Sequence, residues 1–379
     1  MKRYFTAPGR IEICGNHTDH QRGRVLAAAI NLEITAEAEA NGTDIVRIKN
    51  EEFGDSEVDL KSLKFNSAEI GTPSSLIRGI ASYFSEKGYR IGGFDAEIKS
   101  KVPGGSGLSS SAAFEVLIGN IFKGLFGAEI DKMEIAQIGQ KAENNYFGKP
   151  CGLMDQTASS YGGLNVIDFL DLENPIVTPV KVNFAGYNIC VINTGGSHAD
   201  LTPDYAACTE EMKLIAKYFK KEYLRDVNEE EFYSSIPSLR GLGDRAALRA
   251  IHFFNDHNRV LKQAKALENE DMKTFLDLII DSGRSSMAYL QNVYTPKRQQ
   301  DQGLTLALAL SEMILTGVGA WRVHGGGFAG TILAFVPDEL IDEYSQKMGA
   351  VFGSANCHFI NINKNGGREV ERHEIEQYT

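Results

Sequence analysis

Pro103-Gly104-Gly105-Ser106-Gly107-Leu108-Ser109-Ser110-Ser111 is the stretch whose reading decides the fold. It is a glycine-rich turn followed by three hydroxyls, and the run from Ala112 to Ile121 behind it has helical character. A flexible turn feeding a helix start presents backbone N–H groups and a positive dipole end to an anion. Glycines let the backbone approach phosphate oxygens closely. A serine hydroxyl there can also reach a phosphate-bound Mg²⁺. The stretch therefore predicts a phosphate-holding loop and a nucleotide. Taken alone, a glycine-rich turn is read as easily as a turn and nothing more.

Commoner phosphate loops do not fit. A Walker A loop ends in Gly-Lys-Ser/Thr, whereas Gly107 is followed by Leu108. The His-Arg-Asp and Asp-Phe-Gly segments of protein kinases are missing. The dinucleotide fingerprint fails because Ser110 stands where its last glycine belongs.

Three other stretches change the weight of the first. They are Ala7-Pro8-Gly9-Arg10 running on to Gly15-Asn16-His17-Thr18-Asp19-His20, then Cys151-Gly152-Leu153-Met154-Asp155-Gln156, and Gly325-Gly326-Gly327-Phe328-Ala329-Gly330. Together, and in this order, the four stretches resemble the motifs of the GHMP small-molecule kinases, in their galactokinase branch. The resemblance runs over nearly the whole chain. It implies an α+β, two-domain GHMP kinase-like fold with the active site in the interdomain cleft. It also implies an ATP- and Mg²⁺-dependent sugar 1-kinase, with galactose as the first substrate expected.

Composition is that of an ordinary soluble globular protein. The 379 residues are 42% hydrophobic and 23% charged, which suggests two ordinary globular domains. A net charge of −11 argues against a nucleic-acid partner. No run of eighteen apolar residues is present, so no membrane association is expected. Met1 to Thr6 has no apolar signal core, and a cytoplasmic location is the default expectation. Five scattered cysteines, none in Cys-x-x-Cys, read as reduced thiols. The expected partners are a small-molecule sugar and ATP, with no obligatory protein partner. The pattern changes from mixed strand and helix to mostly helix near residue 180. Domains at 1–180 and 181–379 follow as the expectation.

The resemblance assigns roles residue by residue. Gly104, Gly105, Ser106, Gly107, Leu108, Ser109, Ser110 and Ser111 form the nucleotide cradle. Ser110 and Glu143 are the expected Mg²⁺ ligands; without the resemblance, Glu143 reads as the solvated face of a helix. Asp155 is the expected catalytic base, orienting the sugar hydroxyl and accepting its proton. Arg10 is its natural partner, keeping it ionised; an Arg–Asp structural pair is the companion reading. Asn16, His17, Asp19, Gly152 and Tyr205 are the expected sugar contacts, although a tyrosine there could equally be packing. A metal site from His17, Asp19 and His20 is the alternative for the stretch from Gly15 to His20, but it lacks a fourth ligand.

Asn16 stands where galactokinases usually carry glutamate, and His20-Gln21 replaces Tyr-Asn. An amide tolerates a sugar acid better than a carboxylate does, and Arg22 and Arg24 lie close in sequence. Galacturonate, N-acetylgalactosamine or another hexose derivative thus remain alternatives to galactose. A non-catalytic sugar- and ATP-sensing regulator is the rival of another class. Loss of the base or of the serine loop would favour it, yet Asp155, Arg10 and Ser110 are all present.

Overall fold

The computed structural model describes residues 1–52, 54–196 and 201–376. Its strands, in chain order, are β1 (Arg3–Cys14), β2 (Arg24–Ala40), β3 (Ile45–Asn50), β4 (Ser56–Asp59), β5 (Phe94–Ser100), β6 (Leu164–Asp168), β7 (Ile176–Pro179), β8 (Tyr187–Asn193), β9 (Ala320–His324), β10 (Thr331–Pro337), β11 (Cys357–Ile360) and β12 (Arg368–Val370). The α-helices are α1 (Pro73–Glu86), α2 (Ser110–Phe126), α3 (Lys132–Ala142), α4 (Met154–Tyr161), α5 (Thr202–Tyr218), α6 (Glu229–Leu239), α7 (Asp244–Glu268), α8 (Met272–Ser285), α9 (Gly303–Leu315), α10 (Ile341–Phe352) and α11 (Arg372–Glu376). None of the helices among the described residues is long and apolar enough to cross a membrane.

The chain forms two compact units, each assembled from separate segments. One comprises Met1–Arg10, Ala28–Gly163 and Ile362–Thr379; the other comprises Ile11–Ala27 and Leu164–Asn361. This differs from a single cut near residue 180. The composition change marks where helices begin to dominate, but it cannot see β1 and β2 each passing from one unit to the other.

In the first unit the sheet order is β12-β1-β2-β5-β3-β4. β5 alternates Phe94, Ala96 and Ile98 inward with Asp95, Glu97 and Lys99 outward, the period of a half-buried strand. It pairs antiparallel with β2 and parallel with β3. Phe122 of α2 packs its ring 5.4 Å from Phe94 and 5.5 Å from Phe84 of α1. Burying each such ring is worth roughly 1.5–3 kcal/mol. Asp131 caps α3 by accepting from Glu134 N at 2.8 Å, as its sequence position predicts.

The C-terminal segment fixes the end of α4. Gly367 N donates to Ser159 O at 2.9 Å. At Gly162, where φ is +76°, a β-carbon would lie 2.2 Å from Gly366 N. Only glycine allows that approach, and it anchors the helix whose first turn carries Asp155.

In the second unit an antiparallel sheet runs β11-β8-β10-β9. Its inner strand β10 is buried along its whole length and pairs from Thr331↔Asn193 to Pro337↔Tyr187 with β8. Val323, Ile332 and Ala334 of this sheet share a core with Leu304 and Leu308 of α9 and Tyr344 of α10. A separate cluster around Phe232, Phe253, Met212 and Leu290 joins α5, α6 and α7.

Candidate active site

In the first unit the loop before α2 is wound by left-handed residues at Gly105 (φ +68°), Gly107 (φ +71°) and Ser109 (φ +59°). A serine in that region costs about 1–2 kcal/mol. The cost has a visible purpose, because Ser109 thereby donates its hydroxyl to Asp155 Oδ2. Gly104 N donates to the Glu52 carboxylate at 2.9 Å, so this amide already faces an anionic oxygen. Ser106 turns inward and donates to Pro103 O at 2.6 Å. Arg10 braces the loop from β1: its backbone N–H donates to Leu108 O at 3.0 Å and Nη1 to Gly107 O at 2.6 Å.

The same guanidinium grips Asp155 from two sides. Nε reaches Oδ1 and Nη2 reaches Oδ2, both at 2.6 Å. The Arg10 side chain is 7% exposed and that of Asp155 20%. Burial alone would raise the Asp155 pKa. The Arg10 charge, its hydrogen bonds and the Ser109 hydroxyl outweigh burial and hold the carboxyl below its usual range. Asp155 is thus an ionised carboxylate joined through two partners to the glycine-rich loop. Gly152, partly exposed, leads into α4 just ahead of it.

Glu143 opens a π-helical turn (Glu143–Phe147) that continues α3, a distortion often found at functional sites. Its side chain is 2% exposed. Oε1 accepts from Ser111 Oγ and Lys149 Nζ, each at 2.9 Å, and Oε2 from Gln156 Nε2 at 2.9 Å. Ser110 begins α2, but it is Ser111 whose hydroxyl meets Glu143. A buried carboxylate beside the Ser111 hydroxyl offers hard oxygen donors of the kind that suit Mg²⁺. Gln156 Nε2 also donates to buried Glu115 at 2.9 Å. Burial and then the charge of Glu143 push the Glu115 carboxyl far above its usual range.

The sugar-signature residues belong to the second unit. His17 is 8% exposed and adopts φ +57°. Its Nε2 lies 2.9 Å from Gly326 O. A carbonyl only accepts, so Nε2 carries the proton. Nδ1 is then a buried acceptor with no partner among the described residues. Burial, with His20 nearby, pushes the His17 pKa down to about 3, which keeps the ring neutral. Tyr205 stacks on His17 with centroids 6.3 Å apart and donates its hydroxyl to Gly327 O at 2.9 Å. A β-carbon on Gly326 would lie 2.4 Å from the Tyr205 ring, which explains that glycine. Asp19 starts a short 3₁₀ turn and accepts from His20 N at 2.9 Å.

Asn16, Arg22 and Arg24 each have partners within the second unit. Asn16 is fully buried, and its amide is hydrogen-bonded on both sides within the protein. Arg22 and Arg24 are both partly buried. Arg22 lies over the Tyr223 ring at 4.2 Å, and Arg24 pairs with Asp168 at 2.7 Å. Closeness in sequence to the signature said nothing of which way these side chains turn.

Lys149, Gln156, Asn292 and Asp256 are partners that the sequence did not single out. Gln156 was adjacent to the expected base. His252 and Asp256 stand four apart, on one face of a helix. Lys149 and Asn292 carried no signal of their own.

Comparison with known proteins accords with this geometry. Residues 75–163 match the model of the GHMP kinases N terminal domain, and residues 2–39 match the galactokinase galactose-binding signature. The galactokinase of Glaesserella parasuis is 32% identical over 338 residues, covering 89% of this chain and 85% of that one. That of Actinobacillus pleuropneumoniae is 32% identical over 342 residues, with the same coverage. The crystal structure of Lactococcus lactis galactokinase complexed with galactose superposes with a TM-score of 0.84. It is 27% identical and covers 97% of this chain and 95% of its own. Motif order, fold and relatives of nearly equal length converge, and the chain belongs to the galactokinase family of GHMP kinases.

Proposed function

We propose that the chain transfers the γ-phosphoryl group of ATP to the anomeric hydroxyl of D-galactose, giving α-D-galactose 1-phosphate and ADP. The observation that carries this reading is the Arg10–Asp155 fork tied to the glycine-rich loop. Asp155 accepts the proton of the sugar hydroxyl as its oxygen bonds to phosphorus and the bond from phosphorus to the ADP oxygen breaks. Arg10 keeps Asp155 ionised and supplies positive charge near the transferring group. Gly104 to Ser111, at the start of α2, hold the phosphates. His17 Nδ1 accepts a hydrogen bond from a sugar hydroxyl, Asp19 accepts another, and Tyr205 packs beside them. Such groups reject analogues that lack the hydroxyl, because a buried partner is then left unpaired. A cytoplasmic setting, where ATP is plentiful, fits this reading.

Glu143, with Ser110 and Ser111, would hold Mg²⁺. When bound, the ion offsets phosphate charge. The Glu143→Gln variant should need about tenfold to a hundredfold more Mg²⁺ for half-maximal rate and should bind Mn²⁺ with nucleotide correspondingly more weakly by electron paramagnetic resonance. An unaltered requirement in both assays would return Glu143 to a purely structural role.

The function itself is tested by sugar-dependent ADP release with galactose, galacturonate, N-acetylgalactosamine, glucose and no sugar. Galactose should give the highest kcat/KM. A preference for galacturonate would displace galactose as the substrate, and absence of any sugar dependence would remove the kinase reading.

A further inference from the structure

Asn16 sits at the meeting point of two turns. Asp256 of α7 holds the backbone beneath it: Oδ2 accepts from Gly15 N at 3.3 Å, Asn16 N at 3.2 Å and Ser282 Oγ at 3.0 Å. One helical turn earlier, His252 Nε2 donates to Asn16 O at 2.8 Å. The side chain then bridges outward. Nδ2 donates to Glu12 Oε2 at 3.1 Å and to Gly325 O at 2.5 Å, and Oδ1 accepts from Asn292 Nδ2 at 2.7 Å. Asn292 Nδ2 also reaches Gly326 O at 3.1 Å, the carbonyl that takes the His17 ring proton. The next carbonyl, of Gly327, receives the Tyr205 hydroxyl.

The chemistry at position 16 is that of an amide. Two acceptors, a carboxylate and a carbonyl, face one side and a donor faces the other. A carboxylate here would set negative charge against both Glu12 and Gly325 O. Only an amide satisfies both sides at once.

We propose that Asn16 is a positioning residue for sugar recognition: its amide joins the turn at residues 15–18 to the turn at 325–327 and so sets His17 and Tyr205, without itself touching the sugar. The inference rests on the galactose-kinase reading. Its consequence is that residue 16 supports the binding of the whole sugar and does not read the substituent at C6.

Asn16→Asp replaces the donating NH₂ by an acceptor at nearly constant volume. KM should rise by about tenfold, the scale of one lost buried hydrogen bond. The rise should be by the same factor for galactose and for 6-deoxygalactose, measured as substrate or as competitive inhibitor. The kcat and the KM for ATP should stay within about twofold, a split that general loss of structure does not produce. Asn292→Ala, which removes the clasp from the other side, should raise both sugar constants in parallel and serves if Asn16→Asp does not fold. A rise confined to galactose would mean direct contact with the C6 hydroxyl and overturns the inference, as would no rise in either variant. Failure of the unaltered chain to use galactose removes the function reading itself, so the two failures are told apart.

Discussion

Asp155→Asn lowers kcat by about a hundredfold to ten-thousandfold, the usual worth of a positioned general base. Asparagine keeps the size of the side chain and an oxygen to accept from Ser109 and Arg10, and it loses the charge and the basicity. Dissociation constants for galactose and for ATP, measured by calorimetry, should therefore stay within about threefold of those of the unaltered chain. The loss belongs to the chemical step and corresponds to about 3–5 kcal/mol of transition-state stabilisation. Near-normal turnover would strip Asp155 of its role as base and leave it as the anchor of Arg10.

Arg10→Met is expected to cost about a hundredfold or more in kcat/KM at neutral pH and to change the shape of the pH profile. In the unaltered chain burial opposes ionisation of Asp155, and Arg10 with Ser109 overcomes it, so the folded pKa lies below the ordinary one. Activity that needs the carboxylate is then intact at and above the ordinary aspartate value, about 4, and falls only as pH drops through the depressed value. The same sign holds for stability: the ion pair favours the folded state above about pH 4, and its contribution is lost in acid. With Arg10 gone, burial is opposed chiefly by the weaker Ser109 hydrogen bond. The acid limb of kcat/KM should move up toward neutrality. Arg10→Lys should recover part of the shift, since it restores charge without the two-pronged geometry. An acid limb that stays in place in Arg10→Met would show that something other than Arg10 holds Asp155 ionised. Because Nη1 also braces Gly107 O, the KM for ATP should rise in both variants.

Much of this architecture was legible in the sequence because its signals are local. The alternation in β5, the Asp131 cap and the apolar spacing of α7 and α9 each depend on neighbours a few residues away. Read from the sequence alone, strands are expected at 94–99, 164–168 and 320–324; β5 runs one residue further, to Ser100, and β6 and β9 agree at both ends. Elements that were missed lacked such signals. α6 contains Pro237, which argues against a helix interior. α4 spans only 8 residues, and the glycines on either side of it read as a turn. The first half of β1 carries Pro8 and Gly9, poor strand formers, yet burial and the close approach of Gly9 to Leu108 O hold it in the sheet.

The candidate site divides in the same way. The family resemblance carried by the motifs singled out Asp155, Arg10, Glu143 and the serine loop; without it Glu143 reads as the solvated face of a helix. Which serine meets Glu143, and which way Asn16 turns, are set by partners distant in sequence. Ser111 lies 32 residues from Glu143, and Asn292 lies 276 residues from Asn16. No local pattern encodes those pairings. The departure from glutamate at position 16 invited a reading in terms of substrate charge. The hydrogen bonds around Asn16 show what its amide holds within the protein, and the proposed positioning role starts from them.

Phosphorus-31 nuclear magnetic resonance of the product formed from galactose and ATP goes most directly to the proposed reaction. The expected signal is a sugar phosphate coupled to the anomeric proton, appearing in step with ADP. A phosphate carried on C6, or ADP and inorganic phosphate with no phosphorylated sugar, would contradict transfer to the anomeric oxygen.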